Sequence, residues 1–204
     1  MVALRFSSSS LKIPQKSKTE WVGETRPIFL MTEITFNSKN ERAIRLDWFE
    51  TFCVKKTHHM FKVALLSYGI KSNRGIKIII QDRDFKSHGG YYNNTPFVRL
   101  NICQYVDNHK TDYHELKSIS SASAIGSIID TESEVALLAL ISHQVAHAVQ
   151  NYIKYMHMQH EKQLAKLGVD VLRFDKEHGE GWKEIYTFLR EKYVNHLIED
   201  TETC

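Results

Sequence analysis

His143 and His147 stand four residues apart in the stretch 133–152, SEVALLALISHQVAHAVQNY. On a helix, positions i and i+4 lie one above the other on the same face, so two imidazoles there can hold one metal ion. A third ligand from another segment would complete a three-histidine zinc site with a fourth position left for water. The later histidines are His157, His160, His178 and His196. On a continuing helix His157 lies about 280° round from His147 and His160 about 220°, so both point away from the pair. His178 belongs to a different element and can approach from outside.

The residue directly after the first histidine decides the chemistry. In H-E-x-x-H motifs it is a Glu, the base that takes a proton from the attacking water. Gln144 occupies that place here. An amide is nearly isosteric with a carboxylate but cannot accept the proton. The fold and the metal are expected to survive, with a loss of the base's contribution of about 10²–10⁴-fold.

With eleven His in 204 residues, an H-x-x-x-H pair arises by chance about 0.6 times in such a chain, so the surrounding elements must carry the reading. Thr131 with Glu134 three residues on reads as a capping box, and Asp130, Glu132 and Glu134 suit the positive end of a helix. From Val135 to Val149 the run is apolar nearly all round, which predicts a helix buried in a core. Buried imidazoles need partners for their ring nitrogens, either a shared metal or separate hydrogen bonds. The helix is expected over 132–167, ending at Gly168 and bending near 155–160 because about 54 Å is long for a straight helix.

The flanking elements follow from periodicity. Helical spacing over 40–68 predicts one or two helices ending at Gly69, with a possible break near 57–59 and with His58 and His59 as solvated or capping residues. Residues 76–80 (IKIII) read as a buried strand, and GGYY, the Asn93-Asn94 turn and 97–102 (FVRLNI) as a second strand region. Together these predict an antiparallel sheet against the central helix. The Ser-rich stretch 117–129 is expected to be an irregular cover. Trp182, Ile185, Tyr186, Leu189, Tyr193 and Leu197 mark one face of a last helix, with Gly179 and Gly181 allowing a tight turn beside His178.

Composition sets the limits. A hydrophobic content of 42% and a charged content of 25% are those of a globular protein, and no apolar run approaches the roughly 20 residues of a membrane span. Cys53, Cys103 and Cys204 form no C-x-x-C pair, which excludes a cysteine zinc ribbon and leads us to expect an intracellular, reducing setting. Residues 1–31 hold five of the 27 Lys/Arg and two of the 24 Asp/Glu, leaving 22 of each for 32–204. The expected organisation is an extended arm over 1–31 and a formally neutral domain over 32–204. Partners are then expected to be a protein substrate, or an assembly partner held by residues 1–30. DNA association has only weak support in a neutral body, and no membrane is expected.

HQVAH followed by HGEGW, with GGYYNNTPFVRLNI before them, resembles the SprT-like (Spartan-type) zinc metallopeptidases over about residues 40–197. That family pairs H-E-x-x-H with a later H-G-x-x-W or H-G-x-x-F. The resemblance implies a minimal zincin fold of the α+β class, with helices on a small antiparallel sheet and Zn2+ held by His143, His147 and His178. Gln144 at the general-base position and about 30 residues between His147 and His178 depart from the family pattern. The expected function is therefore a zinc metallopeptidase scaffold inactive with Gln144 and active with Glu there. The alternative is a non-catalytic assembly protein that keeps the fold and binds through its arm.

Overall fold

The run of apolar residues from Val135 onward makes one long helix, α3 (Ser133–Lys166), in the computed structural model of the chain. The structure describes residues 38–198 except 73, 84 and 116–124, so the arm expected over 1–31 lies outside the described residues. Every residue of α3 from His143 to Gln150 is buried, as a helix apolar on all sides must be. Its backbone leaves helical geometry at His160 (φ −140°, ψ 40°), within the span expected to bend. It stops where Gly168 turns left-handed (φ +69°) and its N–H reaches Ala165 O at 3.0 Å.

The capping box does not form. Thr131 lies in β5 (Ile128–Glu132), which pairs antiparallel with β4 (Lys110–Tyr113). The helix springs directly from a strand, and no side chain of its N-cap Glu132 makes a capping bond. Ser133 meets the orphaned first turn from the other side. Its N–H donates to His109 O at 2.9 Å and its Oγ to Asn108 O. This same pairing corrects the irregular cover expected to reach residue 129, because β5 begins at Ile128, which pairs with Tyr113 of β4; residues 117–124 lie outside the described residues.

Helix α1 (Ser38–Ser67) packs along α3 and runs through 57–59 without a break. Thr57 and Met60 are fully buried, so tertiary packing holds the helix through that region, while His58 and His59 are exposed as expected. Gly69 (φ +69°) ends the element, with Ile70 N–H bonded to Leu65 O at 3.0 Å.

Three strands, β1 (Lys77–Gln81), β2 (His88–Tyr92) and β3 (Thr95–Asn101), form a sheet in the order β1-β3-β2. Asn93 and Asn94 both take positive φ (47° and 59°), as a two-residue hairpin turn requires, and β2 pairs antiparallel with β3. The expectation of a wholly antiparallel sheet is corrected here, since β1 runs parallel to β3. The chain between β1 and β2 carries β2 to the far side of β3. That leaves β3 in the centre, with Val98 and Leu100 fully buried. The α+β class stands, with a mixed sheet and the small β4–β5 ladder in place of one antiparallel sheet. Among the described residues no helix is long and apolar enough to cross a membrane.

One close approach sets the sheet against the helix. A Cβ at Gly89 would lie 1.9 Å from the backbone oxygen of Gln144, so β2 touches α3 at the residue between the two helix histidines. Gly89→Ala must push strand and helix apart. We expect a loss of about 3 kcal/mol or more, the upper end for overpacking, read from the urea unfolding midpoint.

Candidate metal centre

The 3.6-residue repeat of α3 places the rings of His143 and His147 side by side, with centroids 5.0 Å apart and Nε2 facing Nε2 at 3.2 Å. His178 joins them from the far side of a 30-residue excursion. Its ring centroid is 4.6 Å from that of His147 and 5.4 Å from that of His143. One nitrogen from each of the three lies within 4.8 Å of the others. Of the other candidates, His157, His160 and His196 join no such group among the described residues. His160 and His196 are exposed.

Two devices bridge the long excursion. Helix α4 (Glu180–Arg190) begins straight after His178 and brings Trp182, fully buried, edge-on against that ring at 4.6 Å and 89°. The second is Gln150, buried three residues beyond His147. Its Nε2 donates to Phe174 O at 2.9 Å and to Lys176 O at 2.7 Å. Lys154 adds a bond from Nζ to Asp175 O at 3.1 Å. The helix that carries two ligands therefore grips the segment that delivers the third.

The tight turn expected of the glycines belongs to the histidine. His178 has φ 55°, a conformation uncommon for a side-chain-bearing residue, while Gly179 has an ordinary φ of −73°. Gly181 serves close packing instead, since a Cβ there would come within 2.5 Å of Phe174 Cδ1 and 2.9 Å of Arg173 O. Strain of this kind persists only where surrounding contacts over-determine it.

Glu115 was not legible in the sequence, and it orients the whole group. Its Oε1 lies 3.2 Å from His143 Nδ1. The hydroxyls of Tyr113 (3.0 Å) and Tyr186 donate to its Oε2. Arg190 Nη1 donates to the Tyr186 oxygen at 3.0 Å, which commits the tyrosine's own proton to the carboxylate. Burial above all pushes both tyrosines above the ordinary phenol range, against the pull of Arg190 at Tyr186, so each remains a donor. A carboxylate beside Nδ1 favours the tautomer that carries its proton there and turns the Nε2 lone pair toward His147.

The residues fit a metal on three counts. Two imidazoles on one tetrahedral ion with bonds of about 2.0–2.1 Å have nitrogens about 3.3–3.4 Å apart, close to the observed 3.2 Å. The buried Nε2 of His178 has no hydrogen-bond partner, which a ligand bond would supply. Two of the rings are held in the neutral form: burial, then the neighbouring His143, His178 and His88, bring His147 down to about 3, and burial lowers His178 as well. Neutral imidazole is the ligating form. The three ligands thus lie close enough to hold one metal ion.

A groove of about 850 Å³ opens beside the group, lined by His147, Gln150 and Asn151 of α3, by the whole of β2, and by Asp175 and Glu177. Since β2 is an edge strand, one of its sides carries no partner in the sheet. Comparison with family models, with curated proteins and with solved structures finds no match to this chain.

Two outcomes follow. Glu115→Gln replaces the charged acceptor beside His143 Nδ1 with a neutral amide and should weaken metal binding by about 10–100-fold, measured by competition with a chromogenic chelator. The metal-free chain should also lose stability as the pH falls. His147 titrates near 3 when folded and near the ordinary 6.5 when unfolded, so between those values the unfolded chain binds more protons. The contribution is complete above pH 6.5 and declines below it. A urea midpoint falling from pH 6.5 to about 5, above most carboxylate titration, checks this, and His147→Ala should flatten the slope.

Proposed function

We propose that the chain is a zinc protein of the SprT-like, minimal zincin type, a metallopeptidase scaffold that binds polypeptide but lacks the catalytic base. The observation that carries this reading is the convergence of His178 on the His143–His147 pair beside an edge-strand groove. Three imidazoles with a carboxylate behind one of them are a donor set that suits zinc. Zinc held by His143, His147 and His178 would supply Lewis acidity and acidify a water to a pKa of about 7.

The rest falls to the chain's own residues. Glu115 holds the His143 tautomer, Trp182 packs against all three rings, and the free side of β2 offers backbone groups to an extended peptide. Gln144 has no basic site for a proton at the position where the motif's carboxylate works. Binding and positioning remain available to the chain as it stands. Proton removal does not.

Gln144→Glu tests this. The variant should hydrolyse a disordered protein such as casein at least about 10²-fold faster than the unaltered chain, and a chelator should abolish that activity. Zinc content measured by atomic absorption should be one per chain in both. Adding His178→Ala should remove zinc and activity together. A Gln144→Glu protein that holds its zinc and cleaves nothing would overturn the peptidase reading and leave a zinc-stabilised binding protein.

A further inference from the structure

The floor of the groove is the outward face of the sheet, and its register fixes which side chains share it. Arg99 lies between Ile79 on one side and His88 on the other, and Phe97 between Lys77 and Gly90. All six line the groove together with the metal-ligand candidate His147. Gly90 leaves the middle of β2 bare, so the ring of Phe97 closes to within 3.3 Å of where its Cβ would be. A substrate side chain at that point meets an aromatic floor instead of another side chain.

The charges on this face share one sign. Lys77 and Arg99 are exposed, and neither has a carboxylate within ion-pair distance among the described residues. Arg99 stands over the Phe85 ring at 5.9 Å, a contact that leaves its N–H groups available. The opposite wall carries exposed Asp175 and Glu177, with Lys154 of α3 bonded to the Asp175 carbonyl. Among the lining residues, carboxylates thus occur only on the loop that leads to His178, while the sheet side carries Lys77 and Arg99.

We propose that Arg99, assisted by Lys77, is the specificity-determining residue of this groove and selects polypeptide segments with acidic side chains directed at the sheet. The inference rests on the reading of the groove as a polypeptide site. A strand laid along β2 directs every second side chain to the outward face. An Asp or Glu opposite Gly90 crosses the bare backbone toward the Phe97 ring and the Arg99 guanidinium, which suits a carboxylate in its planar fork. Basic side chains meet the same positive field and are disfavoured. A nucleic acid strand would satisfy the sheet but set its phosphates against Asp175 and Glu177, so the two-signed groove favours polypeptide.

The unaltered full-length chain is suited to the test, because with Gln144 in place a bound peptide is expected to persist. Labelled flexible peptides of Gly and Ser with Asp at alternate positions, matched peptides with Asn or Lys, and an oligothymidylate are titrated with the zinc-loaded protein and followed by anisotropy. The Asp peptide should bind about tenfold tighter than the Asn peptide at low salt, with the Lys peptide weaker still and the difference shrinking as salt rises. Arg99→Glu should reverse the Asp–Lys order at unchanged zinc content and circular dichroism, and Arg99→Lys should keep part of the preference. Equal binding of the peptides, an Asp preference that survives Arg99→Glu, no peptide binding at all, or tighter binding of the oligothymidylate would each overturn the proposal. Failure here with full zinc and active Gln144→Glu protein removes the acidic subsite alone, whereas loss of zinc binding removes the reading beneath it.

Discussion

A histidine ring buried in an apolar core has two nitrogens to satisfy and very little water to do it with. This chain buries two such rings on one helix and brings a third, half-buried, against them. Much of the architecture around α3 answers that demand. Glu115 takes the outer nitrogen of His143, and the inner nitrogens of the helix pair face each other. The His178 nitrogen stays unpartnered within the protein although it is buried. A structure built only for stability would exchange such a group for an apolar one, since an unsatisfied buried donor or acceptor costs about 1–3 kcal/mol.

The segment that carries His178 is held from several directions. The left-handed backbone at His178, the two carbonyl contacts of Gln150 and the close fit of Gly181 under Phe174 act on one short segment. Each removes a degree of freedom from a ring that arrives from 31 positions beyond His147. Behind the other side, the chain of donors from Arg190 through Tyr186 to Glu115 gives the carboxylate a fixed orientation. Preorganisation of this kind makes a three-ligand site insensitive to the length of the intervening loop, because position is set by the grip of α3 and not by chain connectivity.

What the sequence revealed, and what it concealed, follows the range of the interactions. The His143–His147 pair, the buried helix, its bend at His160 and its stop at Gly168 depend on residues within a few turns of one another, so spacing alone exposes them. The convergence of His178 showed through its setting before a helix with one apolar face. Glu115 had no such sign. Its place depends on β4 pairing with β5 across the Ser-rich stretch, a contact between segments whose small residues show no period. The same pairing removed the expected capping box, since Thr131 was drawn into a ladder. The direction of β1 was also hidden. Strand periodicity is the same for parallel and antiparallel neighbours, and only the path of the intervening chain decides between them.

Gln144 acquires a physical meaning in this setting beyond the loss of a base. The residue is buried, with 7% of its surface exposed, on a helix whose neighbouring imidazole His147 is kept neutral by burial. A carboxylate at that position would be a second buried negative charge besides Glu115, and without a cation nearby its desolvation would oppose folding. The amide keeps the shape and removes that charge, while the contact with Gly89 is made by the backbone of residue 144 and is the same for either side chain. A neutral amide at position 144 leaves intact the groove, the edge strand and the charges that face them.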